Sequence, residues 1–313
     1  MKPVPLRSQP APACTASCAD TARGRGASKE RAGRPIFLTP AEYWHLLSLD
    51  APSVSVILAV ALARVFKIDL PGSTLAILFA GTWLLYVSDR ILDGLRAGSA
   101  EHDSRLRERH RFYIRHRNAV LMVAVPVAAL VAWMVFTCMS PAARMADAMI
   151  FAVACVYFSV VHLRGPAVEE IFPKEMIVAL VFAAATAVPA GARLKHHGSL
   201  MVLAALFAAL CWLNCVAIEK WESSPSTPGG GDRTAQWGQR NLRMVSAAIT
   251  GAALLASGLF LCTYNISAAT LCIAMALSAD MFFVLDRSTM STFHLRIAAD
   301  AVLLTPLLLL FAR

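Results

Sequence analysis

The sequence predicts an all-α polytopic membrane protein, and three observations lead to that class. Hydrophobic residues make up 58% of the 313 residues and charged residues only 16%, which is too apolar for a soluble protein of this length. Many windows of about 20 residues carry few or no charges, and each can cross a hydrocarbon core about 30 Å thick. The lysines and arginines lie between these windows, so we attribute the net charge of +9 to membrane topology and expect no nucleic-acid partner.

The first 35 residues differ in composition from the rest of the chain. They are rich in Pro, Ala, Ser, Gly and Arg and show no apolar period. We therefore predict a disordered basic tail over residues 1–35 and one transmembrane domain over 36–313. Residues 39–42 have the character of a helix start. They lead into a short amphipathic segment whose Tyr43 and Trp44 suit the membrane interface.

Nine apolar stretches are candidates for transmembrane helices. They lie near residues 52–68, 72–93, 118–138, 143–162, 174–191, 199–219, 242–264, 267–285 and 295–312. If the N-terminus is cytoplasmic, 23 of the 29 lysines and arginines fall on the cytoplasmic side. Because positive residues concentrate in cytoplasmic loops, we predict a multi-pass protein of a bacterial inner membrane with its N-terminus and active-site side in the cytoplasm.

The end of the second span is the most charged part of the chain. Asp89 and Asp93 stand four residues apart, so their carboxylates share one face of a helix. Tyr86 falls on the same face, and Arg90 and Arg96 follow closely. Two carboxylates beside arginines at a helix mouth are suited to hold a metal ion and a polyanion together. The alternative is a solvated collar, in which acids and arginines pair where the helix reaches water.

The sixth span ends in the same way. Glu219 and Glu222 share a helix face, and Asn214 precedes them by one to two turns. Four helices separate the two acidic motifs, so both emerge on the cytoplasmic side. We therefore expect two halves that face each other across a central cavity of roughly 300–1,000 Å³, the usual size of a ligand pocket.

Two further regions carry candidate residues. Asp300 lies within the last span, where an acidic residue is a functional candidate by default. Arg296 precedes it by four residues, so a structural ion pair also explains both. Residues 103–117 show helical spacing of apolar positions, and we expect an amphipathic cap on anionic lipid. The basic residues of that cap include Arg109 and Arg111.

Nine spans with acidic motifs after spans 2 and 6 resemble the UbiA-type intramembrane prenyltransferases. Asp89 and Asp93 match the last two acids of that family's first motif, Asn-Asp-x-x-Asp-x-x-x-Asp. Leu85 and Tyr86 stand where the family has the leading Asn and Asp. The second motif, Asp-x-x-x-Asp, is represented by glutamates that stand one residue closer together.

The resemblance implies a nine-helix bundle around a central cavity and a set of site residues. The residues that it marks as both catalytic and Mg²⁺-binding are Asp89, Asp93, Glu219 and Glu222. The residues expected to bind substrate are Tyr86, Arg90, Arg96, Arg109, Lys174, Asn214 and Asp300. Lys174 matches a basic position that similar proteins use near the diphosphate. The implied partners are a polyprenyl diphosphate, a hydrophobic acceptor and membrane lipids.

The implied activity is Mg²⁺-dependent transfer of a polyprenyl group from its diphosphate to an aromatic or lipid acceptor. Such chemistry needs positive charge around the leaving group and a dry chamber for the carbocation. The missing Asn-Asp pair favours an alternative, a non-catalytic membrane protein of the same fold that binds isoprenoid lipid or acts as a scaffold. Asp93-Gly94 also resembles part of the CDP-alcohol phosphotransferase motif, but the other acids are wrongly spaced. A transporter remains open from topology, although paired broken helices are missing.

Overall fold

The computed structural model describes residues 39–96, 112–113, 115–163, 173–222 and 232–308. These residues form eleven helices and no strand, which confirms the all-α class. In chain order the helices are α1 (Pro40–Leu46), α2 (Asp50–Val65), α3 (Gly72–Arg96), α4 (Arg117–Cys138), α5 (Pro141–Leu163), α6 (Lys174–Gly191), α7 (Gly198–Glu222), α8 (Arg233–Arg240), α9 (Leu242–Cys262), α10 (Ile266–Leu285) and α11 (Thr292–Val302). The predicted tail over 1–35, Arg109, and the side chains of Asp93 and Arg96 lie outside the description.

Six of these helices are long and apolar enough to cross a membrane. They are α3, α4, α6, α7, α9 and α10, and the bent pair α1–α2 makes a seventh if it counts as one span. The chain is therefore a multi-pass membrane protein. The predicted span at 143–162 lies within α5. The predicted span at 295–312 overlaps α11 and continues past residue 308, where the description ends. The 11 residues of α11 rise only about 17 Å, so the count of nine spans stays a prediction.

The predicted amphipathic segment after residue 39 is confirmed as α1. Tyr43 and Trp44 are 50% and 47% exposed, whereas His45 is buried, so the helix buries one polar side chain and exposes two aromatic side chains. The chain then turns by 92° into α2. Ser48 makes this turn in the left-handed region, with φ of 55°, and a buried corner results.

Two distant side chains hold this corner in place. The indole Nε1 of Trp83 on α3 and the hydroxyl of Tyr113 each donate a hydrogen bond to the Leu47 carbonyl oxygen, both at 3.1 Å. Tyr113 is 2% exposed. It belongs to the segment 103–117 that the sequence predicts to lie on lipid, and at this residue the segment is instead anchored to the protein.

Helix α7 lies at the centre of the bundle. It packs against α6, α8, α9, α10 and α11, and its side chains Leu203, Phe207, Leu213 and Val216 are fully buried. Helix α4 is the opposite case, because Ala124 is its one buried residue. An apolar helix with so little buried surface presents most of its circumference to lipid.

Helices α9 and α10 form the most closely packed pair. The Ser246 hydroxyl donates to the Ala279 carbonyl oxygen at 2.5 Å, and the Ser257 hydroxyl donates to the Ala269 carbonyl oxygen at 3.1 Å. Small residues allow helices in a membrane to approach closely, and serine hydroxyls then bond across the interface. This hairpin is the scaffold against which α7 packs.

Replacing Gly238 with alanine is expected to destabilise the contact between α8 and α7. A Cβ atom at this position would lie 3.0 Å from Val216 Cγ1 and 3.1 Å from Trp212 Cζ2, and both belong to the packed face of α7. The strain costs about 1–3 kcal/mol, which exceeds the gain in helix propensity of up to about 1 kcal/mol. Thermal unfolding of the full chain in detergent measures the difference.

Gly258→Ala is the matched control, because a Cβ atom at Gly258 in α9 meets nothing within 4 Å. This variant should unfold at or slightly above the wild-type midpoint. Equal midpoints for Gly238→Ala and Gly258→Ala would show that α8 is not packed on α7 at this position.

Candidate functional site

Polar side chains from three helices meet at one cavity in the membrane-spanning region. Tyr86 on α3, Asn214 on α7 and Asp300 on α11 all line it, together with the thiols of Cys211 and Cys215. Its apolar wall comes from α2, α6 and the turn after α11, through Ala51, Val54, Val178, Ala179, Phe182 and Leu303. The cavity has a volume of about 40 Å³, which is room for a few water molecules.

Hydrogen bonds fix part of this cavity. The amide Nδ2 of Asn214 donates to Asp300 Oδ1 at 3.0 Å, although 86 residues separate the two. Among the described residues, the amide oxygen Oδ1 of Asn214 is buried and has no hydrogen-bond partner. Tyr86 interacts electrostatically with Asp50 and Asp300. The cavity thus offers oxygen atoms to a water molecule or a cation.

A second polar cluster adjoins the cavity through Asp300. Nδ1 of His45 lies 2.8 Å from Asp50 Oδ2 and 3.5 Å from Asp300 Oδ2. Sequence reasoning missed His45 and Asp50. The available signal was Asp50 itself, an acid at the start of an apolar span, which is costly in a membrane unless it has a function or a partner.

Two of the four predicted acidic residues at the helix ends form ion pairs with arginines. Asp89 Oδ2 lies 3.1 Å from Arg90 Nη1, and the Arg90 side chain is only 11% exposed. Glu222 forms an ion pair with Arg296, whose side chain is 7% exposed. Both pairs place charge near the C-terminal ends of α3 and α7.

Helix α6 brings a third group of charges close to the cavity. Cys215 in the cavity wall interacts electrostatically with Lys174 and Glu175 at the start of α6. The buried carboxyl group of Glu175 donates a hydrogen bond to Asp232, the N-cap residue of α8. Burial alone would raise the pKa of Asp232, but this bond and those from the backbone N–H groups of Ala235 and Thr234 bring the pKa below its usual value.

The structure therefore brings together part of the predicted site. Tyr86, Asn214 and Asp300 share one cavity, and Lys174 lies near its wall. Asp89 follows Tyr86 by one turn of α3, and Glu219 and Glu222 follow Asn214 by one to two turns of α7, closer to the helix ends. The prediction that the acids of both motifs face one large pocket stays a prediction.

The fold and the site define the chain as a multi-pass α-helical membrane protein with a small polar cavity inside its bundle. No protein-family model matches the chain, and no curated protein or solved structure matches it. Any statement about its activity accordingly depends on the residues of the site.

Proposed function

We propose that the chain is an integral membrane prenyltransferase-like protein that transfers a polyprenyl group from a polyprenyl diphosphate to an aromatic or lipid acceptor. The observation that carries the proposal is the cavity lined by Tyr86, Asn214 and Asp300. The sequence predicts all three as substrate-binding residues. They come from three helices, and α3 and α7 are the helices that end in acidic motifs. The finer architecture, a UbiA-like bundle of nine spans, belongs to the same proposal.

The charges at the helix ends suit a diphosphate. Asp89, Asp93, Glu219 and Glu222 supply carboxylate oxygens, the ligands that Mg²⁺ prefers. These residues would hold Mg²⁺, which would supply positive charge next to the diphosphate leaving group. Lys174, Arg90 and Arg296 bring positive charge to α6, α3 and α11. The proposal adds Arg96 and Arg109, whose side chains lie outside the description. The described part of this donor set is compatible with Mg²⁺, because a carboxylate that holds an arginine through one oxygen keeps another lone pair for a metal.

The apolar half of the cavity wall suits the prenyl chain. Val54, Val178 and Phe182 face the space beside Tyr86, and such a wall keeps water from a carbocation. At about 40 Å³ the cavity holds water rather than a prenyl chain, so binding requires α2, α3 and α6 to separate. Helix α3 is 22% buried over its apolar window, and it is therefore the helix that can move at the lowest cost in packing.

The second candidate function is non-catalytic binding of an isoprenoid lipid, or a scaffold role. The observation that favours it is the pairing of two predicted metal ligands with arginines, Asp89 with Arg90 and Glu222 with Arg296. A protein that has lost its metal would keep such pairs as structural contacts. The two functions differ in whether the prenyl diphosphate needs Mg²⁺ to bind.

Binding of radiolabelled farnesyl diphosphate to the purified full chain in detergent tests the proposal. We expect saturable binding with Mg²⁺ that EDTA abolishes, because the diphosphate needs the metal to approach four carboxylates. Binding that is equally tight in EDTA would support the lipid-binding role instead. Absence of binding under both conditions would overturn the proposal.

The proposed orientation gives a separate prediction. Reporter fusions after Gly98, Gly229 and Ser288 should report a cytoplasmic location, and a fusion after Asn265 should report the opposite side. The reason is that lysines and arginines concentrate in the segments that contain the first three positions. A cytoplasmic signal at Asn265 would contradict this topology.

A further inference from the structure

The α1–α2 corner and α11 bring one imidazole and two carboxylates together inside the bundle. His45, Asp50 and Asp300 each offer a ligand atom, and these atoms all lie within 4.8 Å of one another. The side chains of His45 and Asp50 are only 2% and 9% exposed, and that of Asp300 is 17% exposed. The three residues are distinct from the acids at the ends of α3 and α7.

The separations match those of atoms that share one metal ion. With metal–ligand bonds of about 2.1 Å, neighbouring ligands lie about 3.0 Å apart in an octahedral shell and about 3.4 Å apart in a tetrahedral shell. The distances from His45 Nδ1 to the oxygens of Asp50 and Asp300 are 2.8 and 3.5 Å. The ligand atoms need little rearrangement to surround a cation.

The chemistry of the three side chains also suits a divalent cation. Neutral imidazole and carboxylate groups are common metal ligands. A divalent ion bound to neutral His45 and two carboxylates forms a unit with no net charge.

The adjoining cavity can complete the coordination shell. Asp300 belongs to both the cluster and the cavity, whose volume of about 40 Å³ accommodates a few water molecules. Within the described residues, Asn214 Oδ1 is buried there without a hydrogen-bond partner. This oxygen can accept a hydrogen bond from a metal-bound water or serve as a further ligand.

We propose that His45, Asp50 and Asp300 form a binding site for a divalent first-row transition metal ion such as Zn²⁺, with water from the cavity as the remaining ligand. The imidazole nitrogen selects this class of ion, because Mg²⁺ and Ca²⁺ prefer oxygen ligands. The site does not depend on the proposed transfer reaction. A metal ion bound there would link the α1–α2 corner to α11, and its ligands Asp50 and Asp300 are 250 residues apart in the sequence.

Metal content and Co²⁺ spectroscopy test the site directly. The full chain in detergent is treated with EDTA, incubated with ZnCl₂, freed of unbound ion and analysed by mass spectrometry for metal. We expect about one Zn²⁺ per chain. With CoCl₂ in its place we expect visible absorption bands that Zn²⁺ displaces and that a tenfold excess of Mg²⁺ leaves unchanged.

His45→Ala and Asp300→Asn should each weaken Zn²⁺ binding at least about tenfold, because each removes a ligand. Asp300→Asn keeps the side-chain shape and a hydrogen-bonding group next to Asn214, so it separates metal loss from loss of fold. His197→Ala, at an exposed histidine in the α6–α7 connection, is the matched control and should bind like the wild type. The proposal would be overturned if the wild-type chain bound no Zn²⁺, or if folded Asp300→Asn bound Zn²⁺ as tightly as the wild type. His45 and Asp50 would then be an ordinary hydrogen-bonded pair.

Discussion

Asp89→Ala is expected to reduce Mg²⁺-dependent binding of farnesyl diphosphate by at least about 100-fold while leaving the chain folded. The carboxylate of Asp89 lies one turn beyond Tyr86, and its side chain is 32% exposed, so a ligand at the cavity mouth can reach it. Loss of even a secondary contact at a metal site costs about 10–100-fold in affinity, and loss of a direct ligand should cost at least as much. Filtration binding with the labelled diphosphate gives the measurement.

Asp69→Ala is the matched control for this prediction. Asp69 is an exposed aspartate in the connection between α2 and α3, at the opposite end of α3 from Asp89. The same chemical change there should leave binding at the wild-type level. If Asp89→Ala binds as tightly as Asp69→Ala, Asp89 belongs to a solvated collar and the transferase proposal loses its metal site.

Arg296→Ala is expected to destabilise the chain by about 3–5 kcal/mol, the cost of removing one partner from a buried ion pair. Arg296 on α11 and Glu222 at the end of α7 are 7% and 17% exposed. Without the guanidinium group, the Glu222 carboxylate remains in a site that few water molecules reach. Unfolding in detergent by a denaturant series measures the loss.

A double variant and a control at an exposed arginine make this prediction specific. Arg296→Met with Glu222→Gln removes both charges and should recover most of the lost stability. Arg243→Ala removes an arginine that is 57% exposed, and the partner Asp286, which is 5% exposed, keeps its ion pair with Lys220 at 2.7 Å. This variant should therefore cost less than about 1 kcal/mol. Equal losses for Arg296→Ala and Arg243→Ala would show that the Arg296–Glu222 pair is not held in a buried environment.

The hydropathy of the chain predicts the helices well, for a physical reason. A segment inside a membrane must satisfy its backbone hydrogen bonds internally, so an uninterrupted apolar window becomes a helix. The same reasoning identifies Asn214 and Asp300 as polar residues within spans. That they bond to each other across 86 residues depends on the packing of α7 against α11, which no local pattern specifies.

The His45–Asp50 pair shows where sequence reasoning stops. The two residues are five apart, and an uninterrupted helix would place them on different faces. Their contact requires the 92° turn between α1 and α2, and this turn depends on the left-handed Ser48 and on the hydrogen bonds that Leu47 accepts from Trp83 and Tyr113. Two of these partners come from later in the chain, so the turn is a tertiary feature.

The late position of α11 has a consequence for how the protein is made. His45 and Asp50 leave the ribosome early and can meet as soon as the α1–α2 corner forms. Asp300 and Arg296 follow about 250 residues later, and each completes a cluster whose other members are already in the membrane. During synthesis, Glu222 can therefore form its ion pair with Arg296 only after α11 has been made. Quality-control proteases that recognise an incomplete ion pair at the end of a membrane helix would be able to distinguish a nascent bundle from a finished one by the presence of α11.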